Sequence, residues 1–362
     1  MKVESISVKK FAAFADAQLS FVPGINVFIG ENGMGKSHLM KLMYAILKVQ
    51  GTSSMKKAIA QVQSKQTCDR EMYEKIARVF KPDDDQVGRL VRRKVGRNKA
   101  TVELATVTKG KTTFEFTSTN NLSCKQQLQS VAGFKPIFIP SREALAMYEG
   151  FIHAYQEREL AFDETYYDLC MSLSANPLRG PRATQVAALS EPLEKIIGGR
   201  VVLEGGRFYV KSFHGEGNLE AHLLAEGFRK LASLLRLISN GELPAGGVLF
   251  WDEPEANLNP TLVRAVVGLL RQLAAKGVQV FVATHDFLLS NELSLDAEYR
   301  KGKQAPSIRF FALYREREKD GTQVESADSL AAIANNAILR EFAAHYDREE
   351  QLARAELAQK KE

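Results

Sequence analysis

"INVFIGENGMGKSHLMKLMYAIL", residues 25–47, joins three kinds of sequence. Ile25 to Ile29 is an unbroken apolar run of the kind found in a buried strand. Gly30, Gly33 and Gly35 follow within six residues, and Leu39, Met43, Ile46 and Leu47 then recur at helical spacing. The reading is strand, glycine loop, then a helix from near Lys36. Glycines let the backbone turn with its amides inward, and a helix N-terminus adds partial positive charge, so such a loop binds an anionic phosphate. Gly30, Glu31, Asn32, Gly33, Met34, Gly35, Lys36, Ser37 and His38 are therefore expected to cradle ATP. Lys36 would reach the β and γ phosphates, and the Ser37 hydroxyl would ligate Mg²⁺.

Working outward, "ISVKKFAAF" and "AQLSF" read as short strands before the Pro23–Gly24 turn. Far downstream, "GGVLFWDEPEANLNP" (246–260) reads as an apolar strand from Val248 to Trp251 that delivers Asp252 and Glu253. A carboxylate at the end of a parallel strand beside the glycine-loop strand suits a second Mg²⁺ ligand, Asp252, while Glu253 is placed to polarise an attacking water. The bland alternative, acids capping a helix start before Pro254, leaves the strand and the preceding glycine pair unexplained. Leu262, Val266, Leu269, Leu270 and Leu273 form one helical face, Gly277 ends it, and "VQVFVATHD" is a further buried strand ending in Thr284, His285 and Asp286. Ligand chemistry in open parallel sheets gathers at such strand ends, which gives His285 a role in sensing the γ-phosphate.

At 362 residues, 45% hydrophobic and 25% charged, the chain has a globular composition. No run approaches the roughly 20 apolar residues of a membrane span, and "MKVESISVKK" is not a signal peptide, so a cytoplasmic protein without a membrane partner is expected. Cys68, Cys124 and Cys170 are far apart in sequence and read as free buried thiols. The net charge of +6 is local: between Arg89 and Lys111 stand Arg89, Arg92, Arg93, Lys94, Arg97, Lys99, Lys109 and Lys111 against Glu103 alone. This stripe suits DNA, another nucleic acid or an acidic partner, or else is a solvated hairpin.

The ordered set "GENGMGKS", "LLAEGFRKLASLL", "VLFWDEPEANLNP" and "FVATHD" resembles an ABC-type ATPase head of the SMC, RecF and OLD branch. More narrowly it is similar to the AAA-labelled ATPases of bacterial antiphage systems such as Septu and PARIS. The resemblance implies a P-loop α/β fold with a mixed central sheet, an N-terminal antiparallel subdomain and helical insertions. It makes Asp252 the magnesium carboxylate, Glu253 the catalytic glutamate, His285 the switch histidine and 256–260 the loop at a dimer interface. It aligns Leu224 to Phe228 with the signature motif, so that Glu226 and Gly227 of one copy cap the ATP of another. Two identical chains would close on ATP and open on hydrolysis, driving a separate effector, a nuclease or a toxin. RecF-like DNA repair and an ATP-held scaffold with little turnover are the alternatives. The signature carries Ala225–Glu226–Gly227 where the family has Ser-Gly-Gly, so the serine hydroxyl is missing; Arg229, Lys230 or the Gly227 amide is expected to compensate. "IFIPSREAL" stands at the glutamine-loop position, with Ser141, Arg142 and Glu143 after a strand from Ile137 to Ile139.

The expected organisation is a first core part with the P-loop (1–50), a helical and basic β insertion (51–135), a strand plus helical lobe (136–199), a second core part (200–325) and a helical tail (326–362). The lobe aromatics Phe151, Tyr155, Phe162, Tyr166 and Tyr167 read as core or as a docking surface. No nuclease signature is present in the tail.

Overall fold

A computed structural model describes residues 2–57, 65–93, 96, 98–107, 110–126, 134–215, 217–300, 302 and 305–359. Along the chain, β1 (Val3–Phe11), β2 (Phe14–Ser20) and β3 (Ile25–Gly30) precede the glycine loop, which leads into α1 (Lys36–Lys57) and α2 (Lys65–Phe80). Then come β4 (Lys99–Thr106), β5 (Gly110–Thr117), β6 (Leu122–Gln126) and β7 (Ile137–Ile139). The lobe holds α3 (Phe151–Gln156), α4 (Glu164–Ser174), α5 (Pro181–Ile197), β8 (Gly199–Glu204), β9 (Arg207–Ser212), β10 (Asn218–Glu220) and α6 (Glu226–Ser239). The chain returns to the main sheet through β11 (Val248–Asp252), α7 (Pro260–Ala275), β12 (Gln279–Ala283), α8 (Phe287–Tyr299), β13 (Ile308–Arg315) and β14 (Thr322–Ala327), and ends in α9 (Ala337–Gln359).

The main sheet has the order β14-β13-β3-β12-β11-β7, with only β14 antiparallel. A second sheet, β2-β1-β4-β5-β6, is antiparallel throughout, and β10-β9-β8 form a third. The strands of segment 51–135 thus complete the sheet that β1 and β2 begin, because Val3–Lys9 pairs with Thr101–Thr106. Parallel strands buried on both faces read as continuous apolar runs, and β3, β11 and β12 are buried at every position. One face of β3 puts Ile25, Val27 and Ile29 into a core shared with α6 and α7. The other puts Phe28 under α1, in a ladder of rings that runs Phe138, Phe250, Phe281, Phe28, Phe311 across the sheet.

Two expectations change. The strand beside the P-loop strand is β12, not β11: Val280–Ala283 pairs with Ile25–Phe28, and β11 pairs with β12 on its far side. Asp252 therefore approaches Ser37 across β12, whose C-terminal end stays level with both neighbours because Asp252 is in register with Ala283 and Ala283 with Phe28. The tail, expected to be helical over 326–362, begins with the end of strand β14, which pairs with β13 through Ala327, and becomes α-helical only at Ala337. The cysteines are free and buried, and the fold brings Cys68 and Cys124 to 3.5 Å between sulfurs. Among the described residues, no helix is long and apolar enough to cross a membrane.

Candidate functional site

The glycine loop is shaped by contacts that exclude side chains. Gly30 has φ 140° and a Cβ there would lie 2.2 Å from the Leu313 carbonyl oxygen; Gly35 has φ 97° and faces Phe14 and Ala13. Both positions demand glycine. Glu31, Asn32 and Gly33 are exposed on the loop, Met34 is buried beneath it, and His38 lies with its ring 5.7 Å from Phe80. Lys36 curls over the loop and donates to the carbonyls of Gly30 (2.6 Å) and Glu31 (3.0 Å). Burial pushes its ammonium below the usual lysine range, while Asp252, Glu253, Glu255 and Glu31 pull the other way.

The Ser37 hydroxyl comes near enough to the Asp252 carboxylate for hydrogen bonding to count among the influences on that carboxyl. Burial raises the carboxyl of Asp252, that hydrogen bond lowers it, and neighbouring Glu253 raises it again. A hydroxyl and a carboxylate this near each other, beside the glycine loop, form a hard oxygen pair that suits Mg²⁺. Glu253 has φ 48°, a left-handed conformation that costs a non-glycine residue on the order of 1 kcal/mol or more. Its amide donates to Ala283 O at 2.9 Å and its carbonyl accepts from Lys230 Nζ at 3.0 Å, so the backbone is held from both sides. His285 Nδ1 lies 3.2 Å from Glu253 Oε1. Lys36, Ser37, Asp252, Glu253 and His285 therefore gather at one end of the main sheet.

The signature segment is tied into its own chain at several points. Leu231, Leu234, Leu235 and Ile238 are buried as a face of α6, in line with their spacing. Arg229 and Lys230, expected to reach another copy's phosphate, are both engaged within the chain. Arg229 pairs with Glu143 at 3.2 Å, and Lys230, 1% exposed, reaches the Glu253 carbonyl. The amphipathic face of α6 is wide enough to draw the Lys230 stem inside, where burial holds its ammonium below the usual range and Glu255 and Glu253 oppose that. Gly227 packs so closely on the next loop that a Cβ would stand 2.6 Å from Asn257 O and 2.7 Å from Leu258 Cδ2. Glu226 lies in the first turn of α6, half-buried.

Sequence reasoning missed several participants. Glu255 is buried and accepts from Thr284 Oγ1 at 2.6 Å, tying the 253–258 loop to the end of β12. Lys41, one turn past Ser37 on α1, pairs with Asp163 at 2.7 Å, and Asp163 also accepts from Thr165 N at the start of α4. Behind them Asp168 accepts from Tyr44 Oη (2.6 Å) and Lys75 Nζ (2.5 Å) and lies 3.3 Å from Lys48. Thr284 reads only as part of a strand end and Lys230 only as a cation for another copy's phosphate, while Lys41 carries no local signal. Glu143 follows β7 as expected, and it accepts from Ala146 N in a turn where no α-helix begins until Phe151.

Four of the eight bases of the stripe pair with acids, three of them lying outside it. Arg89 pairs with Asp83 (3.2 Å), Arg92 with Asp320 (2.6 Å), Lys99 with Glu115 (2.9 Å) and Lys111 with Glu103 (3.0 Å). Lys94, Arg97 and Lys109 lie outside the described residues. Arg92 also donates to Ala13 O at 3.0 Å, which sets it on the rim of the glycine loop. The lobe aromatics pack on one another, Phe151 on Phe162 (5.4 Å), Phe162 on Tyr166 (5.0 Å) and Tyr155 on Tyr167 (4.8 Å).

Residues 1–168 match the family described as "AAA ATPase domain", and residues 139–291 match "AAA domain, putative AbiEii toxin, Type IV TA system". Among curated proteins the chain is similar to the DNA replication and repair protein RecF of Listeria welshimeri, 40% identical over 58 residues, 16% of each chain. It is also similar to RecF of Ligilactobacillus salivarius, 28% identical over 151 residues, 41% of this chain and 33% of that one. These matches thus span from about a sixth to a third of the relatives' length. Among solved structures, an SMC head bound to the C-terminal winged-helix domain of ScpA superposes with TM-score 0.52 at 12% identity, covering 91% of this chain and 98% of that one. A Pyrococcus furiosus SMC head with an extended coiled coil, bound to the C-terminal domain of ScpA, gives TM-score 0.50 at 12% identity over 96% and 99%. The fold is that of an ABC-type P-loop ATPase head, and both matched family models are of AAA-type ATPase domains.

Proposed function

We propose that the chain hydrolyses ATP with Mg²⁺ and that two copies, closed on two nucleotides, act as the sensor and regulator of a bacterial antiphage complex whose effector is a separate protein. The observation that carries the enzymatic part is the convergence of Lys36, Ser37, Asp252, Glu253 and His285 at one end of the main sheet. Ser37 and Asp252 would hold the metal, which supplies charge neutralisation for the β and γ phosphates when bound. Lys36, displaced from the loop carbonyls by phosphate oxygens, holds the triphosphate. Glu253 accepts a hydrogen bond from the attacking water and orients it at the γ-phosphorus, and His285, in contact with that carboxylate, reports the γ-phosphate to it. The α6 N-terminus of the second copy would supply backbone amides over the γ-phosphate, since Arg229 and Lys230 are committed within their own chain.

Support for the regulatory role is of a different kind. The family matched by residues 139–291 is described by a putative toxin of a type IV toxin–antitoxin system. The curated RecF relatives favour a second reading, a DNA-repair ATPase. Lys36→Ala and Glu253→Gln test the proposal together. Lys36→Ala is expected to lose ATP binding and protection from phage; Glu253→Gln is expected to bind ATP, accumulate a dimer by light scattering and lose turnover. Protection retained by Glu253→Gln would show that binding suffices, and repair of damaged DNA in place of protection would favour the second reading.

A further inference from the structure

His285 and Glu253 sit on different segments, the turn after β12 and the loop after β11, and a second contact joins those segments. The Thr284 hydroxyl donates to Glu255 Oε1 at 2.6 Å and accepts from the Asp286 amide at 2.9 Å. The Thr284 amide is itself bonded to Phe28 O at 3.0 Å, and the residue is fully buried. Thr284 therefore fixes the backbone on both sides of His285 against β3. Asp286 does not need this help to start α8, because its own carboxylate caps the helix by accepting from Leu289 N at 2.6 Å.

The imidazole has little else to hold it. The His285 side chain is 52% exposed, and its one polar contact among the described residues is Glu253 Oε1, 3.2 Å from Nδ1. A half-exposed ring that can rotate about its side-chain bonds keeps such a position only if the backbone beneath it is set. Glu255 supplies the matching constraint on the other segment. Ala256 N donates to Glu253 O (3.1 Å) and Leu258 N to Glu255 O (2.9 Å), so both glutamates belong to one hydrogen-bonded loop. Glu255 is 8% exposed, and its Oε2 meets no donor among the described residues. Burying a carboxylate with one oxygen unmatched costs stability, so this glutamate is better explained by what its other oxygen holds.

We infer that Glu255 and Thr284 are positioning residues for ATP hydrolysis: the run of hydrogen bonds from Glu255 Oε1 through Thr284 Oγ1 to the Asp286 amide sets the His285 backbone so that its imidazole rests on the Glu253 carboxylate. This deepens the proposed hydrolytic site and rests on it. Both residues act through His285, so removing the link lowers kcat and leaves ATP affinity, the work of Lys36 and the glycine loop, in place.

Thr284→Val keeps the side-chain shape and removes the hydroxyl. In steady-state ATPase assays it is expected to lower kcat about 10-fold or more, the scale of a lost hydrogen bond to a charged group, with KM for ATP within about 2-fold of the parent. Thr284→Ser, which restores the hydroxyl, is expected to recover most of the loss. In a His285→Ala background the Thr284→Val change is expected to cost less than about 2-fold, because the ring it positions is gone. A second readout needs no turnover: in the nucleotide-free protein the His285 imidazole resonance, assigned by its loss in His285→Ala, is expected to shift in Thr284→Val and to return in Thr284→Ser. If Thr284→Val does not fold, Glu255→Gln, which weakens the same link, takes its place in both measurements. Equal losses with and without His285, a valine variant with the parent's kcat, or an unmoved His285 resonance overturns the inference and leaves the hydrolytic reading standing. A parent with no ATP turnover overturns that reading, and this inference with it.

Discussion

Replacing Gly227 with alanine sets two known effects against each other. Gly227 is the second residue of α6 and does not have a positive φ, so on helix propensity alone alanine would stabilise the protein by up to about 1 kcal/mol. Its Cβ, however, would sit 2.6 Å from Asn257 O and 2.7 Å from Leu258 Cδ2. Ordinary contact requires a retreat of roughly 0.7 Å or more, and the obstacle is backbone. That loop is tied by Ala256 N to Glu253 O (3.1 Å) and Leu258 N to Glu255 O (2.9 Å), so it cannot step aside cheaply. Overpacking of this kind costs about 1–3 kcal/mol, which outweighs the propensity gain and leaves a net loss of about 1–2 kcal/mol. Gly268, inside α7, is the control, because a Cβ there meets nothing within 4 Å. Calorimetric unfolding without nucleotide is expected to show Gly227→Ala melting a few degrees below the parent and Gly268→Ala at or above it. If both variants melt higher, α6 does not rest on the 256–258 loop, and the coupling of the signature segment to Glu253 argued above is wrong.

Lys230→Met removes the donor that holds the Glu253 carbonyl; a hydrogen bond from a charged group contributes about 1.5–3 kcal/mol, so kcat is expected to fall about 10- to 100-fold with KM for ATP nearly unchanged, and Lys230→Arg to recover part of it. An unaltered kcat in steady-state assays would separate Lys230 from Glu253. Asp168 is buried; burial raises its carboxyl, but Lys75 and Lys48 together with the Lys75 and Tyr44 hydrogen bonds lower it on balance. A depressed carboxylate stabilises the fold above its unfolded pKa and loses that contribution as pH falls through the folded value. Asp168→Asn should therefore cost about 3 kcal/mol near pH 7, with the gap between parent and variant closing below about pH 4; a gap independent of pH in denaturant titrations would refute this. Asp252 has the opposite sign: burial raises its carboxyl, so the ionised form destabilises the metal-free protein as pH rises. Asp252→Asn is expected to melt higher than the parent at pH 7 without Mg²⁺, to lose the advantage near pH 4, and to lose ATP turnover.

The chemistry of this site was legible because its residue types are contiguous. Gly30, Gly35, Lys36 and Ser37 fall in eight positions, and Asp252 with Glu253 ends a strand that apolar content alone announces. Strand order was not legible, since β11 and β12 are both five-residue apolar runs and nothing in either says which lies against β3. Charge pairing was not legible for a related reason. A window from Arg89 to Lys111 cannot see Asp320, which is 228 positions from Arg92 and neutralises it, nor Asp83 just outside its edge.

Lys230 shows where the limit lies. In "GFRKLASLL" a lysine next to an arginine at the start of a helix reads as a cation free to reach another copy's phosphate, while its neighbour Leu231 marks the buried stripe. Whether the lysine is wet depends on what covers that stripe, and what covers it is the loop after β11, whose backbone offers a carbonyl because Glu253 adopts φ 48°. That conformation is held in turn by the β12 carbonyl of Ala283. The link from α6 to Glu253 thus exists only after the parallel sheet has formed, so it leaves no local pattern. A substitution that leaves every motif intact but moves α6, such as Gly227→Ala, is therefore expected to shift Glu253 as well as the signature turn.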